Sequence, residues 1–419
     1  MLDRTLAPPF NRSTSFELIQ PQKKILKGGA EAYFILGGTQ EVSKVEIIFT
    51  AGRWVEKNWG ASYFTANLLS KGTKKKKSFE IAHLLDLYGA HLEINPGLDF
   101  VSVSLYILNK NFEPAILLFL ELLNESVFPQ EEFDLLKSIY LQNLKVNYEK
   151  TSFLASRLVR KNLFGEAHPY GKELDEADIH KLTREGLVQH YSTFFKEGTV
   201  LVSGRVSEKN QNLIAELFSS FAHNATVRND FSRQDLNYSR DVLPKEGSVQ
   251  ATVRLAKNSV SKTHPDYIDA LFLNHILGGY FGSRLMKNIR EDKGLSYGIS
   301  SSLHALKNDS YLVIGADVNR ENLDLTFNEI TKEIKRLRTE KIDEEELNNA
   351  RNHFIGGLQL EITTSFAHAD KIKTIVLYNL PQNYYQNMIT RIDAITADDL
   401  IQIAGQHFAE DSFIQIAVG

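Results

Sequence analysis

Thr151-Ser152-Phe153 returns as Thr364-Ser365-Phe366, an offset of 213 (364 − 151). The same offset carries Glu131-Glu132 onto Glu344-Glu345, Ile179 onto Ile392, Thr183 onto Thr396, Leu187 onto Leu400, Gln189 onto Gln402 and Phe195 onto Phe408. One register held without a gap from 131 to 195 is the mark of an internal duplication, and it has to be settled before any motif is read. Upstream of residue 131 the copies align only with a shifted register.

Working outward from the repeat, both halves follow one plan. A strand opens each half (Val45–Thr50; Gln250–Ala256), followed by a helix that ends at glycine (Ala61–Ser70 before Gly72; Tyr267–Leu277 before Gly278-Gly279). The first half adds a helix from Ser78, read as its N-cap, to Tyr88 with Gly89 as stop. Phe100–Ile107 alternates, with Val101, Val103, Leu105 and Ile107 on one face, as a half-buried strand does. In the second half Leu295–Leu303 and Ser310–Val318 read as strands. Long helices follow at 111–124 and 131–148, and at 321–338 and 343–361. Helices from Thr183 and Thr396 lead into closing strands at Thr199–Ser203 and Phe413–Val418. Strands mixed with paired helices predict an α+β fold: two homologous lobes from an internal duplication, each a mainly antiparallel sheet covered by helices. The expected division is an N-terminal lobe over 1–222, a polar linker over 223–247 and a C-terminal lobe over 248–419.

Composition removes several classes. The length of 419 residues suits two domains of about 200. A formal charge of −4 points to neither nucleic acid nor an anionic membrane. The chain has no cysteine, which excludes disulfides, thiolate metal sites and a cysteine nucleophile. The first sixteen residues show no apolar h-region, so the expectation is a cytoplasmic protein with no signal peptide and no membrane span. The run Lys74–Lys77 reads as a solvated loop.

The helix Gly60-Ala61-Ser62-Tyr63-Phe64-Thr65-Ala66-Asn67-Leu68-Leu69-Ser70-Lys71-Gly72-Thr73 resembles the metal-binding signature of the pitrilysin/insulinase metallopeptidases, in the branch that includes mitochondrial processing peptidase. There the helix carries His-x-x-Glu-His and ends in Gly-Thr. In this chain the first His falls on Tyr63, the Glu on Ala66 and the second His on Asn67, while Gly60 and Gly72-Thr73 remain. Positions four apart share a helical face, so two imidazoles there could hold one zinc beside a Glu acting as base. Tyr63 would first have to lose a proton of pKa about 10. Asn67 offers only a neutral amide oxygen, and Ala66 offers nothing. The family's third ligand, a Glu on a later helix, lands near Asn143. Phe128-Pro129-Gln130-Glu131-Glu132-Phe133 and Phe164-Gly165-Glu166-Ala167-His168-Pro169-Tyr170-Gly171 also resemble family segments. In the second of these, His168 reads as a turn residue rather than a ligand.

Gly278–Leu285, then Asn288-Ile289-Arg290-Glu291 and Gly294-Leu295-Ser296-Tyr297-Gly298, resembles the family's second-lobe signature. Its functional pair matches Arg290 and Tyr297, which the resemblance makes substrate-binding and oxyanion-steadying groups. Taken alone, Arg290 complements a helix dipole and Tyr297 packs on a sheet; the surrounding match favours the clamp. The Gly278–Gly282 run lacks the Lys-Ser/Thr ending of a phosphate loop. His180, His190, His223 and His264 have no ligand spacing, and His353 and Glu361 are not four apart.

The resemblance therefore implies a non-catalytic, substrate-binding subunit of a heterodimeric zinc endopeptidase, inactive alone, with no metal of its own and with zinc in a homologous partner chain bearing the intact motif. Peptides would be the substrate, with no nucleic acid involved. Two alternatives stay open: a purely structural subunit like the core proteins of respiratory complex III, and a homodimer that binds peptides without cutting them.

Overall fold

The computed structural model describes residues 14–222, 231–233, 235, 236, 238 and 240–419. Two sheets organise it. The first holds β1 (Gln22–Ile25), β2 (Glu31–Leu36), β3 (Val42–Phe49), β4 (His91–Pro96), β5 (Val101–Leu108) and β6 (Thr199–Gly204), in the order β1-β2-β6-β3-β5-β4. The second holds β7 (Arg240–Leu243), β8 (Gln250–Asn258), β9 (Ser296–Ala305), β10 (Ser310–Asn319) and β11 (Ile414–Val418), in the order β7-β11-β8-β10-β9. Apart from the extra β1, the two orders superimpose strand for strand. Among the described residues, the only parallel strand pair in each is the one between the lobe's first shared strand and its last, β2 with β6 and β7 with β11. The duplication read from scattered residues is thus a duplication of topology.

The repeated residues occupy matching places. Ile179, Ile392, Leu187 and Leu400 are completely buried, and Phe195 and Phe408 nearly so. The hydroxyls of Thr183 and Thr396 each accept the backbone N–H three residues on, from Gly186 (3.2 Å) and Asp399 (3.1 Å), capping the helices Arg184–Phe194 and Ala397–His407. Glu131-Glu132 and Glu344-Glu345 stand in the first turns of Gln130–Tyr148 and Glu344–Leu360, where their charge suits the helix dipole. Val101, Val103, Leu105 and Ile107 all face the core.

Three expectations need correction. Ser78 is the first helical residue, not the N-cap. Lys77 holds the cap position, and the Glu80 carboxylate reaches back to its N–H at 2.8 Å. The helix from Tyr267 keeps α geometry only to Asn274, and His275–Gly279 continues as a wider π turn. The stretch expected as a linker contains β7, so the second sheet begins at Arg240, before the expected boundary at 248. Most of 223–239, His223 included, lies outside the described residues. The lysine run is solvated as expected, Lys74, Lys75 and Lys77 being exposed, while Lys75 and Lys76 also pair with Glu125 (2.9 Å) and Glu121 (2.5 Å) of the helix Phe112–Glu125.

The helices that begin at the repeated Thr-Ser-Phe were not anticipated. Thr151–Phe164 packs across β8 and β11 of the second sheet, while Ser365–Leu377 packs across β2 and β6 of the first. Each lobe thus lends a helix to cover its neighbour's sheet. Ala155, Val159, Leu163 and Phe164 form one buried cluster with Ala256, Ile414, Ile416 and Val418. Polar groups reinforce the junction: Lys373 Nζ of the second half is 2.9 Å from Glu46 of β3, which also faces Lys44 at 3.0 Å, both of the first-half side chains being almost fully buried.

Candidate functional site

The helix Ala61–Leu68 starts at Gly60, whose φ of +96° is the left-handed region that glycine enters without strain. Its free N–H groups are met by Glu56, whose carboxylate accepts from Gly60 (2.9 Å) and Ser62 (2.7 Å). Burial pushes the Glu56 carboxyl up to about 7 against the pull of those hydrogen bonds. Nothing in the sequence reading singled out Glu56, because a cap two turns upstream of its helix has no fixed spacing.

On the face where a metal helix would present its ligands, this chain builds an aromatic contact. Tyr63 meets Tyr140 edge to face with ring centres 5.2 Å apart, and Tyr140 also touches Phe64. Burial raises the Tyr63 hydroxyl above its ordinary value, further from the phenolate a metal would need. The Asn67 amide is turned inward, donating to the Tyr63 carbonyl at 2.8 Å. Ala66 is fully buried. Asn143 is exposed, and the residue of its helix that reaches Tyr63 is Tyr140, one turn earlier. These residues do not fit a zinc ion: they offer no imidazole, no carboxylate and one amide already engaged. Among the described residues, no group of three or more His, Asp or Glu could hold a metal ion.

In the second lobe, Arg290 and Tyr297 lie side by side. The segment Met286–Asp292 winds as a π turn, and Gly294, at φ +60°, reverses the chain into β9. Tyr297, the second residue of β9, is 92% exposed. The guanidinium carbon of Arg290 lies 5.2 Å from the centre of the Tyr297 ring and 4.7 Å from that of Phe281, itself exposed. Among the described residues the Arg290 cation lies between these two aromatic faces with no acid paired to it. Phe281 was quoted in the motif but given no role; its exposure beside Arg290 is what the sequence lacked. The neighbouring Arg284 is structural instead: it is buried and grips Glu346 with two parallel hydrogen bonds of 2.8 and 2.9 Å.

The remaining histidines have mostly structural settings. His168 sits in its turn with Nδ1 accepting the Tyr170 N–H at 3.1 Å, packed against Trp54 and Phe164. His190 donates from Nε2 to the Ala51 carbonyl at 3.1 Å. Burial holds both near a pKa of about 4. His275 and His353, which have no sequence spacing to link them, meet with Nε2 and Nδ1 3.2 Å apart.

A duplicated α+β lobe, a first-lobe helix with Tyr63, Ala66 and Asn67 in place of metal ligands, and an Arg–Tyr pair on the second lobe define a peptidase-type scaffold. The chain belongs to the M16 (insulinase) peptidase family. Residues 37–170 match the model described as insulinase, peptidase family M16, and residues 181–354 match the peptidase M16 inactive domain. It is 21% identical over 356 residues to a protein of Bacillus subtilis named an uncharacterized zinc protease, covering 84% of this chain and 86% of that one. It is 23% identical over 403 residues to the mitochondrial-processing peptidase subunit beta of Saccharomyces cerevisiae, covering 90% and 86%. A Helicobacter pylori relative, 21% identical over 356 residues and covering 83% and 82%, is named a non-peptidase homolog. The crystal structure of a peptidase M16 inactive domain from Pseudomonas fluorescens superposes with a TM-score of 0.87 at 22% identity, over 95% of this chain and 98% of that one. No helix among the described residues is long and apolar enough to cross a membrane.

Proposed function

We propose that this chain is the substrate-binding, non-hydrolytic subunit of a two-chain zinc endopeptidase, supplying Arg290 and Tyr297 to a zinc site that a homologous partner holds. The observation that carries this reading is the contrast between the lobes. The first lobe fills its metal face with tyrosine, alanine and an inward-turned amide. The second keeps an arginine and an exposed tyrosine together, with no acid paired to the arginine among the described residues. A scaffold gains little from a 92% exposed tyrosine, whereas two donors beside a peptide carbonyl steady it as negative charge develops.

The peptide would lie as an added strand on a sheet edge, its backbone paired with the protein and its side chains in neighbouring pockets. β9 is the outer strand of its sheet and carries Tyr297 near its start, so a strand added there would begin beside the clamp. The lobes themselves are taken to divide near 222, with the polar stretch up to β7 joining them.

Reconstitution with a zinc-motif homologue tests the reading. Wild-type chain should confer peptide cleavage on the mixture, and the double substitution Arg290→Ala, Tyr297→Phe should lose most of it while still assembling. Full activity from the double variant would favour a purely structural subunit. A homodimer that binds peptides and never acquires a partner would mark the third reading, which the name of the Helicobacter relative makes worth measuring.

A further inference from the structure

The long helix Glu344–Leu360 and the turn His275–Gly279 bring together two imidazoles that the proposed function does not use. His275 Nε2 and His353 Nδ1 are 3.2 Å apart. Two nitrogens bound to one zinc-like ion, each at about 2.0–2.1 Å, stand about 3.1–3.4 Å apart for angles of about 100–110°. The pair already has the separation of a chelate.

Their placement follows from the duplication. The offset of 213 (364 − 151) maps Tyr140 onto position 353 (140 + 213). In the first lobe Tyr140 packs on the degenerate metal helix through Tyr63. In the second lobe His353 makes the corresponding contact, from the second long helix to the helix behind the lobe's first core strand. The junction that is aromatic in one lobe is bis-imidazole in the other.

The surroundings hold the rings in place. His275 stacks on Tyr280 with ring centres 4.6 Å apart and 11° between planes, and Phe354 closes on it edge to face at 5.2 Å. His353 lies 4.7 Å from the same Tyr280 ring and is exposed, which gives an ion a way in. The π turn opens at His275 itself, and such widened turns recur at functional sites. At the present contact one nitrogen donates and the other accepts. A modest rotation of the exposed His353 ring aims both lone pairs at one point.

We propose that His275 Nε2 and His353 Nδ1 form a two-imidazole site for a borderline divalent cation such as Zn²⁺, Ni²⁺ or Cu²⁺, its remaining positions filled by water or by a donor on a bound peptide. Imidazole suits these ions and not Mg²⁺ or Ca²⁺. Burial, with the charge of His353 adding to it, keeps His275 near about 4, so the ring is neutral at neutral pH, as a metal-binding imidazole must be.

The test is calorimetric titration of the full chain with Ni²⁺ alone at pH 7.5, alongside His353→Ala and, as a control, His180→Ala on the far lobe. Because His353 is exposed, its truncation leaves the fold intact, which circular dichroism checks. One saturable site is expected, weakened at least tenfold by His353→Ala and unchanged by His180→Ala. Its Cu²⁺ form should show electron paramagnetic coupling to two nitrogens in wild type and to one in the variant. No saturable binding, or binding that is the same in His353→Ala, would overturn the proposal.

Discussion

The guanidinium of Arg290 rests 5.2 Å from the ring centre of Tyr297, across a turn that only the left-handed Gly294 makes possible. Tyr297 is not needed to hold the lobe together, since it projects into solvent. Substituting Tyr297→Phe should leave the denaturation midpoint within about 0.5 kcal/mol of wild type. In a reconstituted complex the loss of one donor should lower kcat by about 10²-fold, the scale of a missing oxyanion donor. Steady-state kinetics on a fluorogenic peptide read the second effect, and urea denaturation reads the first.

Restoring the metal motif should fail as a shortcut. The triple variant Tyr63→His, Ala66→Glu, Asn67→His places a carboxylate where Ala66 is fully buried. An unpaired buried charge costs several kcal/mol. Reduced thermal stability and no peptidase activity are the expected result. Adding Asn143→Glu should not rescue activity, because that position faces solvent while Tyr140 occupies the contact with Tyr63. Assays with added zinc and melting curves check both.

The junction between the halves should be sensitive to single truncations. Phe164→Ala removes a fully buried ring of the helix lent to the second sheet, and a cost of about 3–5 kcal/mol is expected. Glu46→Ala leaves the buried Lys44 ammonium with only the more distant Asp370 carboxylate at 3.6 Å, and a cost below the about 3–5 kcal/mol of a fully unpaired buried charge is expected. Because each change strikes both lobes, unfolding should stay cooperative in calorimetry rather than split into two transitions.

Acid should destabilise the fold through its buried histidines. His168 and His190 titrate near about 4 in the folded chain, against about 6.5 unfolded. The unfolded chain therefore binds protons first. The stability they contribute is complete above about pH 6.5 and is lost as pH falls toward 4, on the order of 3 kcal/mol for His190 and less for His168, whose shift solvent screens more. Urea midpoints at pH 7 and pH 4.5 measure the slope, and His190→Gln should flatten it.

The duplication was legible because capping threonines and apolar helix faces recur at a fixed offset, and these are local requirements. Thr183 and Thr396 must cap, and Leu187 and Leu400 must be buried. The helices Thr151–Phe164 and Ser365–Leu377 were not legible even though they begin at the clearest repeat. The faces they bury are chosen by the sheet of the other lobe, far away in sequence. β7 was missed for a related reason: a four-residue strand with every side chain exposed has no alternation to show. At the sites, Arg290 and Tyr297 were readable through the resemblance of their segment to the second-lobe signature, and a short helix–turn–strand keeps the two close. The substitution of Tyr140 for Asn143, the capping by Glu56 and the meeting of His275 with His353 all depend on how separate segments pack, which no spacing encodes.

The most direct measurement is peptide hydrolysis by the purified chain alone, by a zinc-motif homologue alone and by the two together, each with zinc supplied. The account predicts no cleavage by this chain, and cleavage by the mixture that falls sharply when Arg290 and Tyr297 are replaced. Zinc-dependent hydrolysis by the isolated chain would contradict it.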